Sequence, residues 1–467
     1  MNLKLKALKL NIDSARGKPS LGWCDRVFMR SVNRHIYSSA AFVGIATSAT
    51  KIVGMTKEIL VAAFFGMSGD LDAYLLAVLL PTYIINVITG SIDASFIPVY
   101  IQVRENLGIQ AAQRLFCEVL IITTLALVIA SMVMATTVPS ALSLAYSQYP
   151  ANRIELILGL FYLTLPCIVL TGLCGICEAV LNASEKFIFT ALAPCIVPVM
   201  TIASLLLFGS RAGIYSIALG VISGLVAHLL ILTYAVISRS IKMTLMPHLR
   251  DPAIIRVSRQ YFPTMAASAM MCSTALIDQS MASMLVAGSV SALNFGNKIV
   301  AFVLTIETAA IGTVVLPYFS RLAATSDWSA LKRTLITYVK LILLTTIPIT
   351  IIGMMFSEKL VALLFERGKF GSDDTARVAW VQMMFFIQIP FYSVSILMVK
   401  LISSLQANKI LLWGTIISVS LNILLNFILA KSMGAAGIAL STSVVYAVSA
   451  LYLTIMARKA LEQLSIK

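Results

Sequence analysis

The sequence has 467 residues, of which 59% are hydrophobic and only 12% are charged, and its mean hydropathy is +0.93. This composition excludes a soluble domain of that length and indicates a protein embedded in lipid. The net charge of +15 does not indicate a nucleic-acid partner. The basic residues concentrate in segments predicted to lie on one side of a membrane, as the positive-inside rule describes.

Apolar runs recur along the chain, each bounded by charged residues or by Gly and Pro. A helix needs about 20 apolar residues to cross a bilayer, and runs of that length predict about twelve transmembrane helices. In chain order they are residues 37–65, 73–101, 117–138, 155–181, 187–208, 213–236, 262–284, 291–317, 335–356, 375–403, 410–430 and 435–456.

The longest central loop divides these spans into two sets of six. It covers residues 238–261 and is basic, so we predict a cytoplasmic linker between a first lobe, 37–237, and a second lobe, 262–458. A basic tail, 1–36, precedes the first lobe, and a short tail, 459–467, follows the second. Because six is an even number, the two halves share one orientation, an arrangement that encloses a central cavity.

The ends of the chain predict its topology. Eight Lys/Arg between Lys4 and Arg34 precede the first apolar run, so we expect no cleaved signal peptide and a cytoplasmic N-terminus. An even number of spans returns the C-terminus to the cytoplasm. The seven cysteines are scattered, and Cys174 and Cys177 lie in an apolar helix, so we predict neither a metal site nor a disulfide.

Ionisable side chains inside the predicted spans are costly in lipid, so each marks a candidate cavity or ion site. We predict that Lys51, Lys57 and Lys298 bind a phosphate or pyrophosphate headgroup as point charges. For Lys57, the alternative is a local ion pair near a helix end. The predicted charge partners or gate residues of this cavity are Glu58, Asp72, Asp93 and Glu307.

A second polar group is predicted in the second lobe. Asn422 and Asn426 are four residues apart and therefore on one helical face, and Asp278 and Thr442 could complete an oxygen-rich set. Such oxygens suit a hard cation, and the acid alone could carry a proton. The alternative is a set of hydrogen bonds that holds the helices together.

The sequence contains no catalytic constellation. It has no GxSxG, HExxH or Walker motif, and the predicted outer loops are too short for an enzymatic domain. We therefore predict a transporter with no resident cofactor rather than an enzyme. Its coupling ion could be Na⁺ or H⁺.

Several ordered motifs resemble the MurJ/MviN family of lipid II flippases, in the MOP exporter superfamily. The resemblance covers about residues 40–458. The segments that carry it are residues 51–58, 65–66, 72–74, 80–81, 95–98, the LFERGKF segment 364–370 with Asp373, Asp374 and Thr375, and residues 421–426 with Gly434, Gly437 and Ala439.

This resemblance implies the MOP flippase fold, with two six-helix lobes around a central cavity. It implies a multi-pass protein of the bacterial inner membrane that moves an undecaprenyl-pyrophosphate-linked precursor, similar to lipid II, to the outer leaflet by alternating access. Membrane lipids are expected partners. Proteins of cell-wall or polysaccharide synthesis could also bind, and no nucleic acid is expected.

The sequence departs from the family pattern in the cavity. The family's cavity arginines correspond to Lys51, Lys57 and Lys298, while charged positions of the family fall at Ile85, Asn86 and Ala301 here. Typical members also carry two further helices. These differences leave two alternatives open, a flippase for lipid-linked exopolysaccharide or O-antigen repeat units and a cation-coupled drug or metabolite antiporter, although a lysine-bearing cavity disfavours the latter.

Overall fold

The computed structural model describes residues 44, 46–145, 150–184, 186–238, 252–325, 327–405, 407 and 409–465. This part of the chain is almost entirely helical and contains no strand. The helices are α1 (residues 46–65), α2 (Gly69–Leu107), α3 (Ile109–Ala145), α4 (Ala151–Thr164), α5 (Pro166–Ala183), α6 (Phe187–Leu192), α7 (Ile196–Ala212), α8 (Tyr215–Ile237), α9 (Pro252–Ser283), α10 (Ser289–Ala324), α11 (Trp328–Met355), α12 (Ser357–Phe365), α13 (Ser372–Phe386), α14 (Gln388–Ser404), α15 (Lys409–Met433) and α16 (Ala435–Ser465).

Ten helical spans in the described ranges are long and apolar enough to cross a membrane. Helices α1 and α9 are also long enough, and they are more polar because they carry candidate cavity residues. With them, the predicted total of about twelve is reached, and the fold is that of an all-α polytopic membrane protein.

Three predicted spans are divided in the structure. The predicted span 187–208 contains α6 and α7, joined by the 3₁₀ helix Ala193–Cys195. Two further spans each break at a single residue. Residues 151–183 divide at Leu165, where Pro166 begins α5, and residues 372–404 divide at Ile387. Proline is favoured at the first position of a helix because it has no N–H to leave unsatisfied. The sequence prediction treated both spans as continuous, because a break of one residue does not interrupt the apolar run.

The two lobes share one hydrophobic core at the end of the molecule that holds residues 66–68, 284–288 and 366–371. We call this the closed end. Here Phe65 and Leu71 of the first lobe belong to the same buried cluster as Phe295, Phe365 and Phe370 of the second. Burial of aromatic side chains against one another stabilises contact between the lobes at this end.

The opposite end, which we call the divided end, has a separate core in each lobe. The first-lobe core contains Phe96 and Phe116, and the second-lobe core contains Phe319 and Leu401. Since no single buried cluster joins these described residues across the lobes, the lobes meet closely at one end only.

Helix α9 connects the two lobes structurally as well as along the chain. Its first turns contribute Val257 to the first-lobe core, and Tyr83 of α2 donates to the carbonyl of Ala269 over 3.1 Å. Its last turns carry Asp278, which contacts second-lobe helices. The helix therefore crosses from one lobe to the other.

The predicted domain boundaries fall partly outside the described residues. Within the predicted linker, residues 239–251 are not described, and α9 begins at Pro252. Helix α16 continues to Ser465, into the predicted C-terminal tail. The predicted N-terminal tail, 1–36, lies outside the described residues.

Candidate substrate cavity

A cavity of about 850 Å³ is lined by the second-lobe helices α9, α10, α13, α14 and α16. Its lining combines one basic residue, Lys298, and one acidic residue, Asp278, with neutral polar and aromatic side chains. Tyr392 and Tyr446 form an edge-to-face pair with ring centroids 5.1 Å apart. A cavity of this composition can bind a large polar headgroup by hydrogen bonds and ring contacts.

One face of α10 contributes a large share of the cavity lining. Asn294, Asn297, Lys298, Ala301 and Thr305 recur at intervals of one, three or four residues and all line the cavity. Residues at that spacing share one side of a helix. Sequence reasoning identified only Lys298 here, although the polar periodicity around it was a usable signal.

An ion cluster joins the two lobes beside this cavity. The Glu58 carboxylate of α1 lies 2.7 Å from the ammonium of Lys57 and accepts a hydrogen bond of 3.0 Å from Lys298 of α10. The three side chains are only 15–30% exposed. Two positive charges therefore share one negative charge, and one positive charge remains in excess at the interface.

The other predicted cavity charges do not join this cluster. Lys51 is exposed and lies about 9 Å along α1 from Lys57, at 1.5 Å per residue. Glu307 accepts a hydrogen bond from Ser393 of α14 and is not part of the cavity lining. The side chain of Asp93 lies outside the part of the structure that is described.

Asp72 links the lobes at the closed end. Its carboxylate, on α2, accepts hydrogen bonds from the backbone N–H of Gly288 at 2.6 Å, and from the backbone N–H and hydroxyl of Ser291 at 2.8 and 2.6 Å. These groups form the first turn of α10, where N–H groups have no partner within the helix. Arg153 of α4 lies 3.8 Å from the same carboxylate. The first lobe thus supplies the N-terminal cap of a second-lobe helix.

The LFERGKF segment forms a second contact at this end. The backbone N–H of Lys369 donates to the carbonyl of Ala63 over 2.8 Å. Gly368 has φ +59°, and a Cβ there would lie 2.3 Å from the Ala63 oxygen. Only glycine allows this approach of the two backbones.

The four residues of the predicted cation site are brought together inside the second lobe. The Asp278 carboxylate accepts from the amides of Asn422 and Asn426 at 3.0 and 2.7 Å, and from the Thr442 hydroxyl at 2.9 Å. The amide oxygen of Asn426 is buried and has no hydrogen-bond partner in the described part of the chain. The three donors to the carboxylate fit a set of hydrogen bonds that holds the helices together. The unpartnered oxygen of Asn426 fits the alternative, a cation site.

A buried pair in the first lobe was not anticipated as a pair. His228 of α8 lies 3.1 Å from the carboxylate of Glu178 of α5, beside a small cavity of about 260 Å³. His228 stands on an apolar helix, a position typical of a structural histidine. Nothing in the spacing of positions 178 and 228 identifies them as neighbours.

Comparison with known proteins identifies a family and relatives that match most of this chain. The protein-family model described as "Lipid II flippase MurJ" matches residues 61–467. The probable lipid II flippase MurJ of Thermotoga maritima is 26% identical over 422 residues, covering 90% of this chain and 85% of that protein. The corresponding protein of Rickettsia prowazekii is 23% identical, covering 88% and 81%.

Solved structures show the same fold. A lipid II flippase MurJ in an inward closed conformation has a TM-score of 0.75 at 22% identity, covering 91% of this chain and 90% of that one. An inward-facing multidrug resistance MATE family transporter of the MOP superfamily has a TM-score of 0.76 at 13% identity, covering 90% and 96%. The outward-facing form of such a transporter has a TM-score of 0.65 at 12% identity, covering 92% and 96%.

Two helical lobes joined at one end, with a polar cavity beside the junction, form the fold seen in MOP superfamily transporters. The predicted fold class is thereby confirmed. The family match over residues 61–467 identifies the family within that class: the chain belongs to the lipid II flippase MurJ family. Membership of this family also confirms the prediction of a transporter rather than an enzyme.

Proposed function

We propose that this protein moves lipid II, an undecaprenyl-pyrophosphate-linked cell-wall precursor, from the inner to the outer leaflet of the bacterial inner membrane. Alternating access of the two lobes provides the movement. The cluster of Lys57, Glu58 and Lys298 carries this proposal, because it places excess positive charge at the junction of the lobes and at the edge of a headgroup-sized cavity.

The pyrophosphate is proposed to bind Lys57 and Lys298. Ammonium groups bind phosphate as point charges, and a dianion near two of them competes with Glu58 for their contacts. The neutral polar side chains of α10 and the ring pair Tyr392 and Tyr446 would then contact the sugars. Lys51 is proposed to attract the phosphate at the cytoplasmic approach to the cavity.

The divided end is proposed to face the cytoplasm, which places both termini there. Among described residues, the positions at or near this end are rich in Lys and Arg, as the positive-inside rule requires. They include Arg104, Arg114, Lys186, Arg256, Arg259, Arg321, Lys332, Arg333, Lys409, Arg458 and Lys459. The closed end then seals the cavity from the outer side, so the state described here receives substrate from the cytoplasmic leaflet.

The Asp278 cluster is proposed to bind the coupling ion, Na⁺ or H⁺. A cation requires the two asparagine amides to turn so that their oxygens face it, and the unpartnered oxygen of Asn426 supports that rearrangement. We expect Na⁺ to raise the thermal unfolding temperature of the wild type, and Asp278→Asn to abolish this increase. If K⁺ or choline raises it equally, Na⁺ is not the ligand. A pH-dependent difference between the two proteins without a Na⁺ effect assigns the site to H⁺.

Lys298 provides the test of the proposed headgroup site. In cells depleted of their own lipid II flippase, we expect the wild type to restore growth and Lys298→Ala to reduce lipid II exposure at least tenfold, because the ion contact to the pyrophosphate is lost. Lys298→Arg should retain activity. Lys431→Ala, at the far end of α15, is the matched control.

Membrane insertion of each variant is measured alongside growth. Full activity of an inserted Lys298→Ala protein would remove Lys298 from the mechanism. The binding of a protein of cell-wall or polysaccharide synthesis stays a prediction. The basic N-terminal tail, which could provide such a contact, lies outside the described residues.

A further inference from the structure

A second large cavity lies in the second lobe, at the divided end. It is a groove of about 560 Å³ between α11, α14 and α16, and it shares no lining residue with the substrate cavity. We call it the cationic groove. Its position within one lobe separates it from the junction at which the lobes meet.

The groove has a basic rim and an apolar floor. Lys332 and Lys340 of α11 line it together with Arg458 and Glu462 of α16, so two positive charges remain in excess. Trp328 lies at the end of α11, where membrane helices favour tryptophan at the interface between headgroups and hydrocarbon. The remaining lining residues are mainly apolar: Leu335, Ile336, Val339, Val394, Met398 and Leu461.

Helical spacing explains why these charges face one groove. Trp328, Lys332, Ile336 and Lys340 repeat every four residues along α11. From Trp328 to Lys340 the helix rises about 18 Å, at 1.5 Å per residue, so Lys340 lies deeper in the membrane than Lys332. Because helical side chains lean toward the N-terminus of their helix, Lys340 is directed back toward Lys332 and the headgroup level.

The chemistry of the groove matches an anionic phospholipid. Excess positive charge beside hydrocarbon is costly, and a phosphate at the interface offsets that cost. The apolar floor continues from the basic rim into the membrane, as an acyl chain continues from its headgroup. The N-terminal tail of this chain is not complementary, because it carries eight Lys/Arg against two Asp between Lys4 and Arg34.

We propose that the cationic groove binds an anionic phospholipid of the cytoplasmic leaflet. Its phosphate lies among Lys332, Lys340 and Arg458, and one acyl chain lies along Val339 and Met398. This site is distinct from the proposed substrate site, and only its assignment to the cytoplasmic leaflet rests on the proposed orientation.

The chain offers a matched control for this proposal. Arg333 and Lys459 are exposed, directly follow Lys332 and Arg458, and do not line the groove. Lys332→Gln with Arg458→Gln removes two charges from the groove, and Arg333→Gln with Lys459→Gln removes the same charge from neighbouring faces. Binding of phosphatidylglycerol and phosphatidylcholine to each purified protein is measured by native mass spectrometry.

We expect phosphatidylglycerol to bind wild type at least tenfold more tightly than phosphatidylcholine. The groove variant should lose about thirtyfold in affinity for phosphatidylglycerol, since it removes two charges and each Lys or Arg near an anionic lipid contributes about 1 kcal/mol. The control variant should bind as wild type does. Equal loss in both variants would show general surface attraction, and equal binding of the two lipids would show an apolar groove only. Either result would overturn the proposal.

Folding of the variants is checked by thermal unfolding. If the double variant does not fold, Lys340→Gln alone is compared with Lys359→Gln, which lies outside the groove. Activity in the Lys298 growth assay is independent of these results, so failure of the lipid site and failure of the proposed transport function remain distinguishable.

Discussion

At the scale of single residues, a few charged side chains hold the lobes in one arrangement. Glu58 bridges two lysines from different lobes, and Asp72 caps the first turn of a helix in the opposite lobe. Both carboxylates contact the opposite lobe, and Glu58 also pairs with Lys57 of its own helix. A change in either side chain should therefore alter how the lobes meet more than how each lobe folds.

Asp72→Asn tests the cap directly. The amide keeps the shape of the side chain and loses its charge, so each contact to Gly288 and Ser291 should weaken by about 1 kcal/mol. We expect the closed end to open more often. In a variant without native cysteines, Ser289→Cys should then react several-fold faster with a membrane-impermeant thiol reagent added from the closed side.

The matched control for this cap is Asp70→Asn. Asp70 is exposed in the same first turn of α2, and it makes none of these contacts. Unchanged labelling of the Asp72→Asn protein, or equal acceleration by Asp70→Asn, would contradict a closing role for Asp72.

Sequence reasoning identified charged residues better than their partners. Lys298, Glu58 and Asp72 were selected because charges are costly in lipid, a property that can be read from one position and its neighbours. Their contacts join residues more than 200 positions apart. Such pairings depend on how the lobes approach, and no local periodicity encodes that.

At the scale of helices and loops, the closed end depends on a backbone contact that only glycine permits. Gly368 is in the left-handed region and approaches Ala63 of α1, whereas Gly371 has no neighbour within 4 Å of an added Cβ and no positive φ. The two glycines belong to one loop and differ in backbone conformation and in their surroundings. They therefore form a matched pair for substitution.

Gly368→Ala should lower the free energy of unfolding by more than 1 kcal/mol, because a side chain costs about 1–2 kcal/mol in the left-handed region and the Cβ also meets the Ala63 carbonyl. Gly371→Ala should have little effect. Thermal unfolding of the two purified variants measures the difference. Equal unfolding temperatures would show that the 366–371 loop is free to move away from α1.

The sequence predicted the number and order of the helices well, because apolar runs of membrane length are a strong local signal. It did not predict the breaks at Leu165 and Ile387, or the extra helix Ser357–Phe365 that precedes the LFERGKF loop. The breaks interrupt a helix for one residue and leave the apolar run continuous. The extra helix has only nine residues and lies between two predicted spans, too short to be recognised as a membrane-length run.

At the scale of the whole molecule, the two ends differ in how the lobes are joined. A single core joins them at the closed end, and separate cores lie at the divided end. Alternating access then requires the shared core to separate and the two divided cores to approach each other.

The measurement that tests the proposed function most directly is movement of fluorescent lipid II across proteoliposomes that contain the purified protein. We expect lipid II to reach the opposite leaflet, measured with a membrane-impermeant quencher, and protein-free liposomes to show no transfer. Movement of an undecaprenyl-pyrophosphate-linked exopolysaccharide repeat unit, with no movement of lipid II by the same folded protein, would contradict the proposal.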